Sequence, residues 1–279
     1  MNLAAHLRLA TREPSRALDR CWAIHWRTGL TLTSVAFAFA CATARAPAPR
    51  PLAAGDARPP ALLAALDRDT EARRALRGVA HLAVDGPSGA GRAKQILALE
   101  RPARLRVEVL GLLDQTQAVL VTDGARYRLA RSGAPAPEEG PVYDALLADV
   151  VGLAVTPAQA VRVLLAAPLA PGATLDRAAQ LADGGVRLDL RRDGVPGREE
   201  VDFDAAGRLA RWAQLGADGD VLLEARYADL RPLGDVDFPR EVELRDARSG
   251  ASASVSWSRV ELNPALPGGL FDVPAAAAP

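Results

Sequence analysis

Cysteine is almost missing from this chain: only Cys21 and Cys41 occur, both near the N-terminus. The remainder therefore has no internal disulfide and no cysteine-based metal site to draw on. Lysine is scarcer still, with Lys94 alone among 34 basic residues. Beside abundant Ala, Gly and Pro, that imbalance reads as coding-composition bias and carries no functional weight. Of three histidines only His81 lies beyond the N-terminal region, so a histidine-rich metal site cannot be assembled. Aromatic residues make up 4% of the chain, which argues against stacking platforms. Neither sign of charge is in excess, and a formal net charge of zero over 279 residues leaves no basic footprint for nucleic acid. Long apolar runs are missing too. The uncharged stretch of residues 28–40, whose apolar part is LTLTSVAFAFA, is about half the roughly 20 apolar residues that span a bilayer.

What precedes that short run is informative. Arg8, Arg12, Arg16, Arg20 and Arg27 lead into the apolar LTLTSVAFAFA, and small residues follow, which is the make-up of a secretory signal. The sequence Ala38-Phe39-Ala40-Cys41 resembles a bacterial lipobox, in which the cysteine is diacylated and becomes the first residue. The expectation is a signal peptide over residues 1–40 and a lipid anchor on Cys41. The alternative is an ordinary signal cut nearby, with Cys41 incidental. Ala42 stands where, by the rule for such lipoproteins, an aspartate would favour inner-membrane retention, so the expected location is the outer membrane, facing the periplasm. Without residues 1–40 the chain carries 29 basic and 32 acidic residues, close to neutral. Residues 41–59 are rich in Pro, Ala and Arg without apolar periodicity, which suits an extended tether.

The folded body is expected over residues 60–274, with a short tail at 275–279. Residues 60–77 place Leu62, Leu63, Leu66 and Leu76 against a charged face, with Pro60 tolerated in the first turn, and predict an opening helix. From Gly78 the apolar period changes to two, as in Leu105-Val107-Val109 and Val186-Leu188-Leu190. Asp123-Gly124, Asp193-Gly194 and Asp218-Gly219 supply hairpin turns between such runs. About eleven antiparallel strands result, a number that curls rather than staying flat. Between them, residues 141–152 and 156–167 predict two short helices, the second opened by Thr156-Pro157 and stopped by Pro168. Their leucines and valines are too many for solvent, so they should cover the curled sheet. The fold class is thus mainly β with helices, an incomplete, half-open antiparallel barrel closed by short helices.

Several blocks then resemble the LolA/LolB superfamily of periplasmic lipoprotein carriers and receptors, nearest the LolB-like members. They are Arg104-Leu105-Arg106-Val107 running into Leu110-Gly111, the strand 118–122, Leu146-Leu147 to Gly152-Leu153, and Thr156-Pro157 with the helix ending Leu164-Leu165-Ala166-Ala167-Pro168. Phe238-Pro239-Arg240-Glu241 and the strand after it resemble the closing hairpin, so that the likeness covers roughly residues 61–273. It implies an apolar cavity for acyl chains, with cavity candidates Leu146, Val150, Val161, Leu164, Leu165, Trp212 and Trp257. It also implies a hydrophobic residue projecting from the loop after the Arg-rich strand to deliver cargo. Leu110 matches the family's Leu-Gly corner, whereas Leu112 and Leu113 are the leucines most out of place in a turn.

The expected function is a non-enzymatic, monomeric outer-membrane lipoprotein that takes up acyl chains of lipoproteins or other lipid. A soluble periplasmic carrier would hand cargo to it, the membrane contact would be through Cys41, and no cofactor, metal or nucleic acid would take part. The alternative is an assembly lipoprotein that binds a protein partner without lipid transfer. Other patterns weigh less. Residues 86–94 are glycine-rich but lack the Lys-Ser/Thr of a phosphate loop. The acids of residues 199–204 fit a strand with one wet face (acidic) and one packed face (Val201 and Phe203) better than a carboxylate pair for hydrolysis.

Overall fold

The structure, a computed structural model, describes residues 48–87 and 89–273. Helix α1 (Arg58–Ala72) opens the body. Its start is set by Asp56, whose carboxylate accepts from the Arg58 amide at 2.9 Å, and by Pro59 in the first turn. It ends five residues before the limit of 77 that the periodicity suggests, and the cause is remote in sequence. The Asn263 side chain accepts from the amides of Arg74 and Ala75 and donates to the Ala72 carbonyl at 2.7 Å. This satisfies the helix terminus and starts the next strand, so Leu76 is buried as a strand residue.

Fourteen strands follow one another in a single antiparallel sheet. They are β1 (Arg50–Pro51), β2 (Ala75–Asp85), β3 (Gly91–Glu100), β4 (Arg104–Leu110), β5 (Thr116–Thr122), β6 (Arg126–Arg131) and β7 (Glu138–Pro141). After the helical insertion come β8 (Thr174–Gln180), β9 (Val186–Arg191), β10 (Arg198–Phe203), β11 (Leu209–Leu215), β12 (Val221–Leu233), β13 (Val236–Asp246) and β14 (Ser252–Leu262). The order in space is β1-β8-β9-β10-β11-β12-β13-β14-β2-β3-β4-β5-β6-β7, so β14 pairs with β2 while β1 and β7 are free edges. The sheet is not closed into a barrel, as the alternation and hairpins require of a half-open one. Glycine serves the turns where a positive φ is needed, at Gly194 (φ 70°) and Gly219 (φ 89°) after their aspartates.

One face of the sheet is apolar and carries Leu76, Leu99, Leu188, Val201, Trp212, Phe238 and Val242, all at most 2% exposed. Two short helices cover it. Helix α2 (Leu146–Val151) ends at Gly152 in the left-handed conformation. Helix α3 (Pro157–Leu164) opens with a capping box, Thr156 Oγ1 accepting from Gln159 N and Gln159 Oε1 from Thr156 N. The residues expected to start the first helix, Pro141 onward, instead finish edge strand β7, where a proline costs no ladder bond.

Because every pairing is antiparallel, the connections fall into two sets at opposite strand ends. Residues 111–115, 192–197, 216–220 and 247–251 lie at one end, which we call the upper rim. Residues 101–103, 123–125, 181–185 and 204–208 lie at the lower rim. Strand β1 pairs with β8 through Arg50 and Gln180, at the lower rim.

Candidate functional site

Alternation along β3 and β4 directs Gln95 and Leu97 of one strand and Leu105 and Val107 of the other to the apolar face. Leu82 and Val84 of β2, Val242 and Leu244 of β13, and Ala253 and Val255 of β14 continue that wall. Opposite them stand Leu147 and Val151 of α2, Leu153 and Val155 of the connection, and Ala160, Val163 and Leu164 of α3. Together they line a half-open cavity of about 90 Å³. That is room for roughly three waters at ~30 Å³ each, well under the roughly 300 Å³ at which ligand pockets begin. A whole acyl chain fits only if the helices move away from the sheet.

Gln95 is the one polar side chain of this lining. It is 4% exposed, and its amide makes no hydrogen bond to any described residue. It is also absent from the buried atoms that are both sealed and unpaired, so it opens onto the cavity. An unpaired buried amide costs about 1–3 kcal/mol, which makes its position in this wall informative.

Of the seven cavity candidates named from sequence, Leu164 lines the cavity. Leu146, Val150, Val161, Leu165, Trp212 and Trp257 are buried in the surrounding core. Leu97, Leu105, Val107, Leu147 and Val163 were missed although the two-residue alternation already gave most of their facing. Gln95 had its own signal, a glutamine in phase with Leu97 and Leu99.

The lid is held by arginines. The segment after α3, residues 165–170, is buried but outside regular structure, and Ala166 has φ 51°. Its carbonyls need donors. Arg73 Nη1 donates to the Ala166 oxygen at 2.7 Å, Arg101 Nη2 to the Ala167 oxygen at 3.0 Å, and Arg162 Nε to the Pro168 oxygen at 3.3 Å. Arg101 Nε also donates to the Arg73 carbonyl, and Arg73 Nη2 to Asp69 and to the Asp237 carbonyl. Burial lowers the pKa of all three guanidiniums, with Asp69 opposing it at Arg73 and Glu199 at Arg162, while the nearby Arg162 charge adds to it at Arg101. Hydrogen bonds from charged donors contribute about 1.5–3 kcal/mol each, so these contacts fix the lid's exit.

One acid departs from the expected wet face. Glu200 and Asp202 do lie on the outer face, where Arg187 makes paired bonds of 2.7 and 2.8 Å to Asp202 and Arg211 reaches Glu200 and Glu224. Burial pushes the Glu224 carboxyl up, but Arg211 and Arg226 outweigh it and hold the group below its usual range. Glu199 instead shares the packed face with Val201 and Phe203 and is 5% exposed. It is tolerated there because Trp212 Nε1 donates to it at 3.3 Å and Ala170 N lies 3.5 Å away, with Arg192 at 3.7 Å.

The apolar corner is a tight turn. Asp114 N donates to the Gly111 carbonyl at 3.1 Å, which puts Leu112 and Leu113 at the two central positions, 92% and 89% exposed. Gly111 N donates to the Gln115 carbonyl and Leu113 N to the Gln115 side chain at 2.8 Å. Asp114, at φ 56°, pairs with Lys94 at 3.0 Å. Leu110 is half-buried at a bulge that ends β4, paired with Lys94 of β3 and Thr116 of β5. His81 is exposed on the outer face of β2, and residues 86–90 join two strands. Cys41, the signal region and the first part of the tether, residues 41–47, lie outside the described residues, and among the described residues no helix is long and apolar enough to cross a membrane.

No protein-family model matches the chain, and no curated protein matches it in sequence. Solved structures do resemble it. A LolA superfamily protein from Nitrosomonas europaea superposes with a TM-score of 0.53 at 13% identity, over 76% of this chain and 97% of that one. A domain assigned to outer membrane lipoprotein sorting, from Vibrio parahaemolyticus, gives 0.52 at 11% identity, over 76% and 95%. The chain therefore has a LolA-like fold, in agreement with the resemblance of its sequence blocks.

Proposed function

We propose that this protein is a non-enzymatic acyl-chain binder of the bacterial outer membrane, anchored through Cys41 and facing the periplasm, that receives lipidated cargo and passes it to the bilayer. The observation that carries the reading is the apolar cavity between α2–α3 and the sheet, whose lining holds one polar side chain. Apolar burial supplies about 0.8 kcal/mol per methylene, so a chain of a dozen or more carbons brings enough to open the lid. Transfer then follows differences in apolar affinity and consumes no cofactor. A soluble carrier would present the cargo, and the exposed Leu112-Leu113 turn would enter the lipid. Both neighbours of the fold, one named for lipoprotein sorting, are consistent with this direction.

Titration of the purified protein with a fluorescent C16 fatty-acyl probe tests the reading. Saturable binding at one or two chains per protein, reversed by unlabelled palmitoyl lipid, is expected. A linear, unsaturable signal rejects it.

A further inference from the structure

The wall that would hold the acyl chain contains a feature that hydrocarbon alone does not require. Gln95 lies on the apolar face of β3, paired with Ala80 on one side and Val109 on the other. It is 4% exposed, lines the cavity, and makes no hydrogen bond to any described residue. A side-chain amide offers two donors and one acceptor. In a wall otherwise of leucine, valine and alanine these groups have exchanged bulk water for at most the few waters the cavity holds, and no described residue gives them a partner. A leucine at this place would pack without that penalty.

Gln95 also sits partway along the wall. Leu97, Leu105 and Val107 lie on its lower-rim side, and Leu82 and Val84 on its upper-rim side. A ligand that reaches past it thus presents its atoms to the amide at a defined depth. No charged side chain lines the cavity to balance an ionised group, so a carboxylate or phosphate would be buried uncompensated. The complement of an unpaired neutral amide in an apolar wall is a neutral acceptor on an apolar chain. An acyl carbonyl, whether ester or amide, has that chemistry.

We propose that Gln95 is a specificity-determining residue that donates a hydrogen bond to the carbonyl of an acyl ester or acyl amide, so that the cavity selects carbonyl-linked chains over ether-linked or free hydrocarbon chains. The inference rests on the acyl-binding reading above and goes further by naming the linkage that is recognised. It predicts where the chain stops: the carbonyl lies at the level of Ala80, Gln95 and Val109, and the methylenes continue toward Leu105 beneath α3.

The test uses matched ligands that differ at the linkage alone, competed against the fluorescent acyl probe. These are 1-palmitoylglycerol, its ether counterpart 1-O-hexadecylglycerol, and the amide N-palmitoyl-serinol. Wild-type protein is expected to prefer the carbonyl ligands by about three- to tenfold, the range of one neutral hydrogen bond. A stronger ester points to a glyceryl-linked chain as the natural group, and a stronger amide to an N-acyl chain. In Gln95→Leu the preference disappears while the ether ligand binds at least as well as before. Thermal melting without ligand guards against misfolding: Gln95→Leu should melt at or above the wild-type temperature, because the free protein loses an unpaired amide. An equal carbonyl-to-ether ratio in the wild type, or a ratio unchanged in Gln95→Leu, overturns the proposal while leaving acyl binding intact. A lowered melting temperature in both Gln95→Leu and Gln95→Met also overturns it, since the amide would then be structural. Failure of all three ligands to compete rejects the acyl-binding reading itself.

Discussion

Leu112 and Leu113 project almost fully exposed from a turn closed by the amides of Gly111, Leu113 and Asp114, so their side chains pack against nothing in the fold that would call for leucine. Fully burying one such side chain is favourable by about 1.5–3 kcal/mol, which gives the pair a marked preference for lipid. Replacing both by alanine is expected to lower binding of the protein to lipid vesicles by at least about tenfold. The melting temperature should stay within the shift of about 0.5 kcal/mol usual for surface changes. Unchanged vesicle binding in a flotation assay would remove the turn from the account. Sequence alone raised the corner but left open which leucine projects. Leu110 matches the family's corner, yet it is half-buried at a bulge that ends β4, opposite Lys94 on one side and Thr116 on the other, and register is a property of strand pairs. Gln95 and Glu199 tell the same story from the other side. Each is an inward polar residue in an otherwise apolar phase, visible in the sequence only after the strand's facing is known.

The lid, α2 and α3 with the segment after them, is the element on which the proposed acyl binding turns. Its capping box was readable at Thr156, because the motif is local. Its fastening was not, since Arg73 and Arg101 reach Ala166 and Ala167 across 93 and 66 residues. Losing the Arg101 contact should let the lid open more often without harming the sheet. In Arg101→Met, amide exchange across α3 is expected to quicken by about tenfold or more, with β2 and β3 protected as before. Exchange in α3 equal to wild type would show that the arginine does not hold the lid. The strands show the same division between local and remote. The eleven expected strands lack three that the structure adds, β1, β7 and β8, and those three lie at the two margins of the sheet. Margins bury little, so no alternation is imposed: β8 exposes residues 174–177, and β7 reads Glu-Glu-Gly-Pro, charged and proline-ended as an exposed edge should be. Similarly, α1 stops where Asn263 caps it, 191 residues away.

For the molecule as a whole, hydrophobic alternation and Asp-Gly turns carried the architecture because a half-open antiparallel sheet is built from local hairpins. The cavity was legible as a kind of place but poorly as a set of residues: Leu164 alone of the named candidates lines it, and the larger side chains Trp212 and Trp257 fill core around it. Size biased that choice, since big residues complete a core while Leu and Val of facing strands and helices leave the gap. The two rims divide the remaining work. The leucine turn is at the upper rim, and β1, which lies within the tether segment 41–59, is at the lower rim beside β8. Nine residues from Cys41 to Arg50 span at most about 30 Å when extended, more than the roughly 23 Å of seven-residue β8. Under the anchoring at Cys41 proposed above, that length is enough for the anchor to reach the level of the leucine turn. All of this depends on where an acyl chain lodges. The most direct measurement is photo-crosslinking with a palmitoyl ligand carrying a diazirine along its chain, followed by mapping of the labelled peptides. Adducts on β3 and β4 around Leu97 and Val107, and on α2 and α3 around Leu147 and Val163, are the result expected. Labelling confined to the outer face of the sheet, with those four positions untouched at saturating ligand, would contradict the account.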